Sequence, residues 1–424
     1  MINKNQKDWI YSKQLLQEIR DKFLHIDSDP YTGKRIFFEN AGGSFTLKSV
    51  IEAMIIATEL PDCPSRPTAA AKKITEIVDK GLEDIKLFLG AKTGKIITEE
   101  TGTKVLFDIT GTIIENIPGT NVVTTKLEHP ANYNAAAYYA LKHNKELRVA
   151  DVNPSTGGVD VEAILEKIDR NTCLLSFMYA SNITGAILDA ETIVKEARKI
   201  NPDLYILIDS IQHVAHAPVD IEKLQIDGFG CVPYKIFGKK GFGIGYVSDR
   251  VAKLPHRRIL FKKQDDWSLG SIDPADYSGW TAVTDYVCWL GKQFIDSNDR
   301  RDQIIAGMKS IEFNERYLLN RALDGTKKIN GLRHMDGVIV HFLQKNSQNH
   351  SLLLPISIKR KSAREAVMDY LKNGIVVYDR TATSLFSKRT LDALGIPSLI
   401  RVSPIHCNSP EEIDKFLSVT SKIS

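Results

Sequence analysis

Short apolar runs alternate with helix-like segments through the middle of the chain. The runs with strand character are residues 121–125, 147–150, 173–178 and 204–208. The segments with helical spacing are residues 131–143, 160–168 and 190–200. Strands that alternate with helices predict βαβ units and a mostly parallel sheet. Because the strands are apolar along almost their whole length, we expect helices to cover both faces of that sheet.

The two ends of the chain follow other patterns. An amphipathic helix is predicted from about residue 6 to 23, followed by a turn over residues 27–30. A long charged helical stretch runs from about residue 284 to 323. Beyond it the predicted strands are 338–342, 352–358, 376–378 and 399–402, and the predicted helices are 363–371 and 410–419. This mixture predicts a smaller α+β unit.

The length of 424 residues exceeds what one typical hydrophobic core supports, so we expect two domains. We place a large domain at residues 45–290 and a small α+β domain at residues 291–424. Residues 1–44 form an N-terminal segment that we expect to join the small domain. A cleft between two such domains is a common location for a ligand site.

The charge balance and the cysteine content argue against several classes of protein. The 56 Lys and Arg residues nearly balance the 52 Asp and Glu residues, so we predict neither nucleic acid nor an anionic membrane as a partner. No window approaches the ~18–20 apolar residues of a membrane helix, and the N-terminus lacks a secretory signal. The five cysteines are scattered without a C-x-x-C pair, which predicts no disulfide framework, no metal site and a reducing cytoplasm.

Three segments carry candidate chemistry. Asp209 ends the apolar run ILID, where open α/β sheets place their ligands, although a turn or helix-capping carboxylate has the same pattern. Lys235 follows another apolar run, and a lysine in apolar surroundings has a lowered pKa that favours imine formation. Gly102 and Thr103 open a helix-like run, which suits either a phosphate site or an ordinary helix cap.

The chain order of these segments favours one cofactor. An anion cradle, a carboxylate for a ring nitrogen and a lysine for an imine are the parts that a pyridoxal-phosphate enzyme requires. We therefore predict pyridoxal 5'-phosphate as the cofactor.

The sequence around these residues resembles the class V aminotransferase superfamily of fold type I, and within it the branch of cysteine desulfurases and selenocysteine lyases. The longest match is the pattern D-x-x-Q-x-x-x-H-x-P-x-D at residues 209–220. Further matches are E-N-A-G-G at 39–43, E-H-P-A-N at 128–132, S-N-I-T-G at 181–185 and R-V-S-P at 401–404. The similarity covers roughly residues 35–416. It implies a mostly parallel central sheet in the large domain and an α+β small domain.

The resemblance gives each matching residue a role. It implies three catalytic residues: Lys235, which carries the cofactor as a Schiff base, Asp209, which pairs with the pyridine nitrogen, and His129, which stacks on the ring. The implied cofactor-binding residues are Gly102, Thr103, His129, Asn182, Asp209, Gln212, Tyr234, Lys235 and Ser271. The implied substrate-binding residues are Asn40, Ala41, Asn182 and Arg401, with Arg401 on the α-carboxylate. Taken singly, His129 could instead cap a helix and Arg401 could form a surface ion pair.

The sequence departs from the family pattern at several positions. Tyr234 stands where His is common, and Val232 stands where a phosphate-binding Ser is common. Residues 374–384 correspond to the loop with the persulfide cysteine of desulfurases, and they contain no cysteine. Ser271 corresponds to a residue that reaches the neighbouring subunit's phosphate, so the resemblance implies a homodimer.

We therefore expect a cytoplasmic enzyme that acts on an amino acid, as a desulfurase-like lyase without the usual persulfide cysteine. A class V aminotransferase or epimerase is the alternative, because one proton abstraction precedes all three outcomes. A non-catalytic binding module of the same fold is a further alternative, which an intact Lys235 disfavours. Phe242, Trp267, Trp280 and Arg380 are candidates for the substrate pocket by placement alone.

Overall fold

The structure is a computed structural model that describes residues 10–61, 65–271, 273–343 and 349–424. Its α-helices are α1 Lys13–Arg20, α2 Lys48–Thr58, α3 Ala69–Leu89, α4 Gly102–Asn116, α5 Pro130–Lys142, α6 Val161–Leu165, α7 Ala190–Ile200, α8 Ile221–Leu224, α9 Asp249–Ala252, α10 Pro274–Lys292, α11 Arg300–Asp324, α12 Ala363–Lys372, α13 Lys388–Leu394 and α14 Pro410–Ile423. Short 3-10 turns cover His213–Ala215, Pro233–Lys235 and Leu332–His334.

The strands fall into one large sheet, one smaller sheet and three short pairs. They are β1 Ser28–Asp29, β2 Gly33–Lys34, β3 Ile36–Phe37, β4 Lys95–Glu99, β5 Asn121–Thr125, β6 Glu146–Ala150, β7 Thr172–Met178, β8 Tyr205–Asp209, β9 Gly228–Cys231, β10 Gly243–Val247, β11 Gly325–Thr326, β12 Ile329–Asn330, β13 Val338–Val340, β14 Leu354–Ile358, β15 Ile375–Val376, β16 Tyr378–Thr381 and β17 Ser398–Val402.

The large sheet has seven strands in the order β4-β10-β9-β8-β7-β5-β6. The five strands from β9 to β6 are parallel, and β10 runs antiparallel to both β9 and β4. Every residue of β5, β7 and β10 is buried, because helices cover both faces. The prediction of an α/β protein with a mostly parallel central sheet is confirmed.

The smaller sheet lies near the C-terminus and has the order β13-β14-β17-β16, with every pairing antiparallel. Helices α12 and α14 pack on it, and Tyr370 and Phe416 from these helices stack at 5.4 Å between ring centroids. Strand β15 instead pairs in parallel with β3, so Ile375 lies opposite Ile36. The N-terminal segment is thereby joined to the C-terminal α+β unit.

Residues before β3 pack in a different hydrophobic core from the residue that follows β3. Tyr11, Ile19 and Phe23 belong to the core of the large sheet, whereas Phe38 belongs to the core of the smaller sheet. The N-terminal segment therefore contributes to both cores. The domain boundaries at residues 45 and 290 stay predictions.

Some predicted elements are wrong in extent. The helix predicted over 284–323 is two helices, because α10 ends at Lys292 and Asp299 caps a new helix by accepting from Asp302 N at 2.8 Å. The strand predicted over 376–378 is divided between β15 and β16. The described part of the first predicted helix is α1, and residues 6–9 lie outside the described residues.

Helices α10 and α11 meet at two glycines. A Cβ atom at Gly291 would lie 2.0 Å from the Gln303 carbonyl oxygen, and one at Gly307 would lie 2.2 Å from the Val287 carbonyl oxygen. The two backbones therefore touch, which leaves no room for a side chain at either position. None of the helices in the described ranges combines the length and apolarity required to cross a bilayer.

Candidate active site

A cavity of about 300 Å³ lies at the carboxyl ends of the parallel strands. Its wall includes eight of the predicted site residues, namely Gly102, Thr103, His129, Asn182, Asp209, Gln212, Tyr234 and Lys235. These residues come from separate loops that follow β4, β5, β7, β8 and β9, because parallel strands deliver their carboxyl ends to one edge of the sheet. The sequence prediction thus describes one contiguous place in the fold.

Asp209 is the last residue of β8 and is buried. One carboxylate oxygen accepts from Ile211 N at 3.1 Å, while the other oxygen, Oδ2, has no hydrogen-bond partner in the described part of the chain. Burial raises the pKa of Asp209 to about 6, and the backbone hydrogen bond opposes this shift. An unpartnered carboxylate oxygen in a cavity is a site for a cationic N–H donor.

Lys235 ends the 3-10 turn that follows β9, with 9% of the residue exposed. Its Nζ atom donates a hydrogen bond to the Ala41 carbonyl oxygen and lies 5.3 Å from the centroid of the Tyr234 ring. Burial lowers the pKa of Lys235 to about 7, and the positive charge of Arg401 contributes in the same direction. The amine is therefore close to an even mixture of neutral and charged forms at neutral pH.

The N-terminus of α4 contributes free backbone N–H groups to the same cavity. Thr101 caps the helix by accepting from Lys104 N at 3.2 Å, which leaves the first-turn N–H groups of Gly102 and Thr103 outside the helical hydrogen-bond ladder. These N–H groups and the helix dipole favour an anion. Val232 lines the cavity and adds no hydroxyl donor, as the sequence departure predicted.

His129 caps a helix and also lines the cavity, so its position is compatible with both interpretations of the sequence. Its Nδ1 atom caps α5 by accepting from Ala131 N at 3.1 Å, and the ring lines the cavity. Burial lowers the pKa of His129 to about 4, so the ring is neutral at physiological pH. The cap fixes the plane of the ring, and Phe386 lies nearly parallel to it at 5.9 Å.

Glu128 stabilises the loop between β5 and α5. It is buried and accepts hydrogen bonds from Thr125 Oγ1 and Asn132 Nδ2, each at 2.7 Å. Ser176 Oγ in turn donates to Asn132 Oδ1 at 2.7 Å. Burial raises the pKa of Glu128 to about 7. This network holds the loop before α5 against the sheet.

Gln212 is held by a second buried chain of side chains. Its Nε2 atom lies 3.2 Å from His216 Nε2, and His216 Nδ1 lies 2.8 Å from Glu315 Oε2 on α11. Because an amide nitrogen only donates, His216 Nε2 accepts and its Nδ1–H donates to Glu315. His216 therefore orients Gln212 and couples the cavity to the helix that leads into the smaller sheet.

Arg401 stands on β17 outside the cavity wall and contacts that wall through Asn182. Its guanidinium forms an ion pair with Glu39, and its Nη1 atom donates to the Asn182 carbonyl oxygen at 2.8 Å. Asn40 Nδ2 donates to the Ser403 carbonyl oxygen at 3.1 Å, which ties the E-N-A-G-G segment to the end of β17. The predicted substrate-binding residues thus lie together where the two sheets meet.

Other predicted residues lie away from the cavity. Ser271 is exposed and is not part of the cavity wall in this chain. Trp280 is fully buried against Phe88, and Trp267 stacks on His256 at 4.2 Å, so both predictions for a substrate pocket were wrong. Phe242 does line the cavity.

Four residues near the site were not predicted from the sequence. Glu39 neutralises Arg401, Met178 and Lys240 line the cavity, and Arg389 donates to the Glu128 carbonyl oxygen at 2.7 Å. Glu39 is the first residue of the quoted E-N-A-G-G motif and Met178 is the last residue of a predicted strand, which is the signal that could have found them. Lys240 and Arg389 carry no such signal, because their positions depend on how loops fold back.

The residues of the cavity fit pyridoxal phosphate. The unpartnered Asp209 Oδ2 matches a protonated ring nitrogen, the N-terminus of α4 matches a phosphate, and buried Lys235 matches an imine-forming amine. The unpartnered Oε1 atom of buried Gln212 adds a further polar group to the same wall.

Comparisons with known proteins agree with this geometry. The family model described as aminotransferase class-V matches residues 36–260, which is more than half of the chain. A cysteine desulfurase of Wigglesworthia glossinidia brevipalpis is 22% identical, over 96% of this chain and 97% of the relative. A probable cysteine desulfurase of Borreliella burgdorferi is 24% identical, over 95% of this chain and 96% of the relative.

Solved structures agree on the fold. A cysteine desulfurase from Thermococcus onnurineus NA1 in its apo form superposes with a TM-score of 0.79 at 19% identity, covering 96% of this chain and 97% of that structure. The buried lysine and aspartate, the fold and the extent of the family match lead to one conclusion. The chain belongs to the class-V aminotransferase family, whose members are pyridoxal-phosphate-dependent enzymes with the fold type I architecture.

Proposed function

We propose that this protein binds pyridoxal phosphate and acts as a desulfurase-like lyase on an amino acid, by β-elimination or cleavage of a C–S bond. The observation that carries the proposal is that buried Lys235 and Asp209 face one cavity, with an unpartnered oxygen on Asp209. Relatives that cover nearly the whole chain are named cysteine desulfurases, which supports the desulfurase-like class.

Each residue of the site has a role in this proposal. Bound pyridoxal phosphate supplies an aldehyde that forms imines and a ring that withdraws electrons. Asp209 would hold a proton on the ring nitrogen, and neutral His129 would pack against the ring. Arg401 binds the substrate carboxylate and keeps its ion pair with Glu39. Lys235, with its pKa lowered to about 7, takes the proton from the substrate α-carbon.

The proposed lyase works without the persulfide cysteine of the desulfurases. Residues 374–384 contain no cysteine. Cys407 follows β17 and is completely buried, with its pKa raised well above the usual range by burial, so it is a poor nucleophile. Cys173, Cys231 and Cys288 are also buried, and Cys63 lies outside the described residues.

We also propose that the protein is a cytoplasmic homodimer in which Ser271 completes the phosphate site of the partner. Ser271 is exposed and follows a segment with exposed apolar side chains. In this arrangement the Ser271 hydroxyl replaces the donor that Val232 cannot provide. The predicted residues Asn40, Ala41 and Asn182 complete the substrate side, and Tyr234 belongs to the cofactor side.

The test combines cofactor chemistry with product analysis. The purified protein should absorb in the visible region, and borohydride reduction followed by peptide mass spectrometry should locate a phosphopyridoxyl group on Lys235. Pyruvate and ammonia from an amino acid with a β-leaving group would support the lyase, whereas dependence on a 2-oxo acid would indicate transamination. Racemisation of substrate would indicate an epimerase. Lys235→Ala should abolish the absorbance and turnover, and retained turnover would refute the role of Lys235.

A further inference from the structure

Three side chains lie on one face of the smaller sheet. Tyr378 and Arg401 are directly opposed on the antiparallel strands β16 and β17, so their side chains share a face. Arg380 is two residues after Tyr378 and shares that face as well. The guanidinium carbons of Arg380 and Arg401 each lie 6.0 Å from the centroid of the Tyr378 ring. Two guanidinium groups therefore flank one aromatic ring at the substrate side.

The same face meets the cavity wall. Leu399, opposite Arg380 on β17, packs against Ile183, and Arg401 donates to the Asn182 carbonyl oxygen. Asn182 is part of the cavity wall. The charge of Arg380 lowers the pKa of both Lys235 and His129, as expected of a cation close to these two groups. Arg380 therefore lies on the face of the smaller sheet that meets Asn182 and Ile183.

The two arginines differ in their partners. Arg401 is paired with Glu39 and with a carbonyl oxygen. Arg380 is 8% exposed, and its Nε and Nη2 atoms have no hydrogen-bond partner among the described residues. A buried cation with unmade hydrogen bonds is unfavourable unless an anion pairs with it.

The nearby carboxylates are already engaged. Glu39 forms the ion pair with Arg401, and Asp379 points to the opposite face of β16, where it forms an ion pair with Arg364 at 3.3 Å. Asp209 is buried at the end of β8, where it accepts a hydrogen bond from Ile211 N. The described residues therefore leave Arg380 without an anionic partner of its own.

We propose that Arg380 binds a second carboxylate of the substrate, so that the natural substrate is an amino acid whose side chain carries the leaving group and ends in a carboxylate. This inference rests on the proposed function and deepens it. Arg401 fixes the α-carboxylate, and Arg380, on the same face and beside the same tyrosine ring, receives the side-chain carboxylate. The planar fork of arginine suits bidentate binding of such a group.

The test measures binding of matched ligands to the holoprotein. Aspartate and glutamate are compared with asparagine and glutamine by the change in cofactor absorbance, which gives an apparent Kd for each. Of the two acids, the one that binds more tightly should have an apparent Kd at least roughly tenfold lower than that of its amide. One charge-assisted hydrogen-bonded pair has an effect of this size. Arg380→Gln should reduce this ratio to within about twofold, and Arg360→Gln, at an exposed turn of the same unit, should preserve it.

A second measurement separates this proposal from the proposed function. Succinate has two carboxylates and no amine, so it should raise the Tm of the wild-type protein and of Arg360→Gln, but not that of Arg380→Gln, whatever the cofactor chemistry. Equal binding of acids and amides by the wild-type protein would overturn the proposal, as would an Arg380→Gln variant that keeps the preference. Should Arg380→Gln fail to fold, the wild-type ratios alone decide. Absence of any cofactor absorbance would refute the proposed function, while the succinate measurement still tests Arg380.

Discussion

At the scale of single residues, the site places ionisable groups where their charged forms are unfavourable. Asp209 and Lys235 have pKa values shifted toward neutrality by burial, to about 6 and about 7. Such residues lower the stability of the ligand-free protein. The same shifted pKa values make them reactive once a ligand is bound. This opposition between stability and function can be measured at each residue separately.

Asp209→Asn should stabilise the cofactor-free protein at pH 8 by up to about 3 kcal/mol, because the variant has no buried charge. The pKa of Asp209 is raised on folding, so the penalty is absent below about pH 4, grows through about pH 6 and is complete above it. Urea unfolding at several pH values checks this dependence. A stability difference that does not change with pH would contradict it. The same variant should bind pyridoxal phosphate more weakly.

Lys235→Met should show the opposite pH dependence. The pKa of Lys235 falls on folding, so the cost of its charge is complete below about pH 7 and disappears as pH rises toward the ordinary lysine value near 10.5. The variant should therefore be more stable than the cofactor-free wild-type protein at pH 6, by a few kcal/mol, and the gap should close by pH 10. Lys327→Met, at an exposed position, is the control and should show no such trend.

Much of the site could be predicted at this scale because its residues belong to contiguous motifs. Asp209, Gln212 and His216 follow one another in a single pattern, and Lys235 ends the next strand region. Glu39 as the partner of Arg401 could not be predicted, since the two residues come from opposite ends of the chain and no local pattern relates them. The exact neighbours of a buried charge depend on tertiary packing.

At the scale of elements, buried parallel strands were the easiest to predict. Strand β5 and helix α7 have the predicted bounds, because β-branched residues favour a strand in β5 and an amphipathic period marks the helix in α7. Strands β4 and β10 were not predicted, since the glycine-rich run of β10 and the charged ends of β4 resemble loops. The break between α10 and α11 was missed because charged residues continue through it.

The contact between α10 and α11 gives a prediction at this scale. Gly307→Ala should lower the free energy of unfolding by at least about 2 kcal/mol, because the new methyl group would collide with the Val287 carbonyl oxygen. Gly279→Ala, within α10, is the matched control. Its nearest neighbours are the flexible side-chain atoms of Met54 at 3.3 Å, so the gain in helix propensity should leave it neutral or slightly stabilised. Chemical denaturation of both variants measures the difference.

At the scale of the whole molecule, exposed apolar side chains indicate a surface that associates. Phe261 is 101% exposed and Leu260 is 76% exposed, and both precede Ser271 in the chain. Isolated apolar residues on a surface are common, but consecutive ones at this exposure are typical of an interface. The homodimer proposed from the resemblance would cover them.

Phe261→Glu should therefore convert the dimer to a monomer. Light scattering after size exclusion should give twice the chain mass of 47.4 kDa for the wild-type protein and a single chain mass for the variant. Tyr31→Glu changes an equally exposed aromatic residue on the β1–β2 turn and should leave the dimer intact. A wild-type protein that elutes as a monomer would refute the proposed dimer.

The parallel pairing of β3 with β15 has a consequence for biosynthesis. On the ribosome, Ile36 and Phe37 emerge long before their partners Ile375 and Val376. The carbonyl of Ala41 follows β3 directly, so the environment of the reactive amine is assembled among the last events of folding. A nascent chain is thereby unable to present a finished catalytic centre before its C-terminal unit exists.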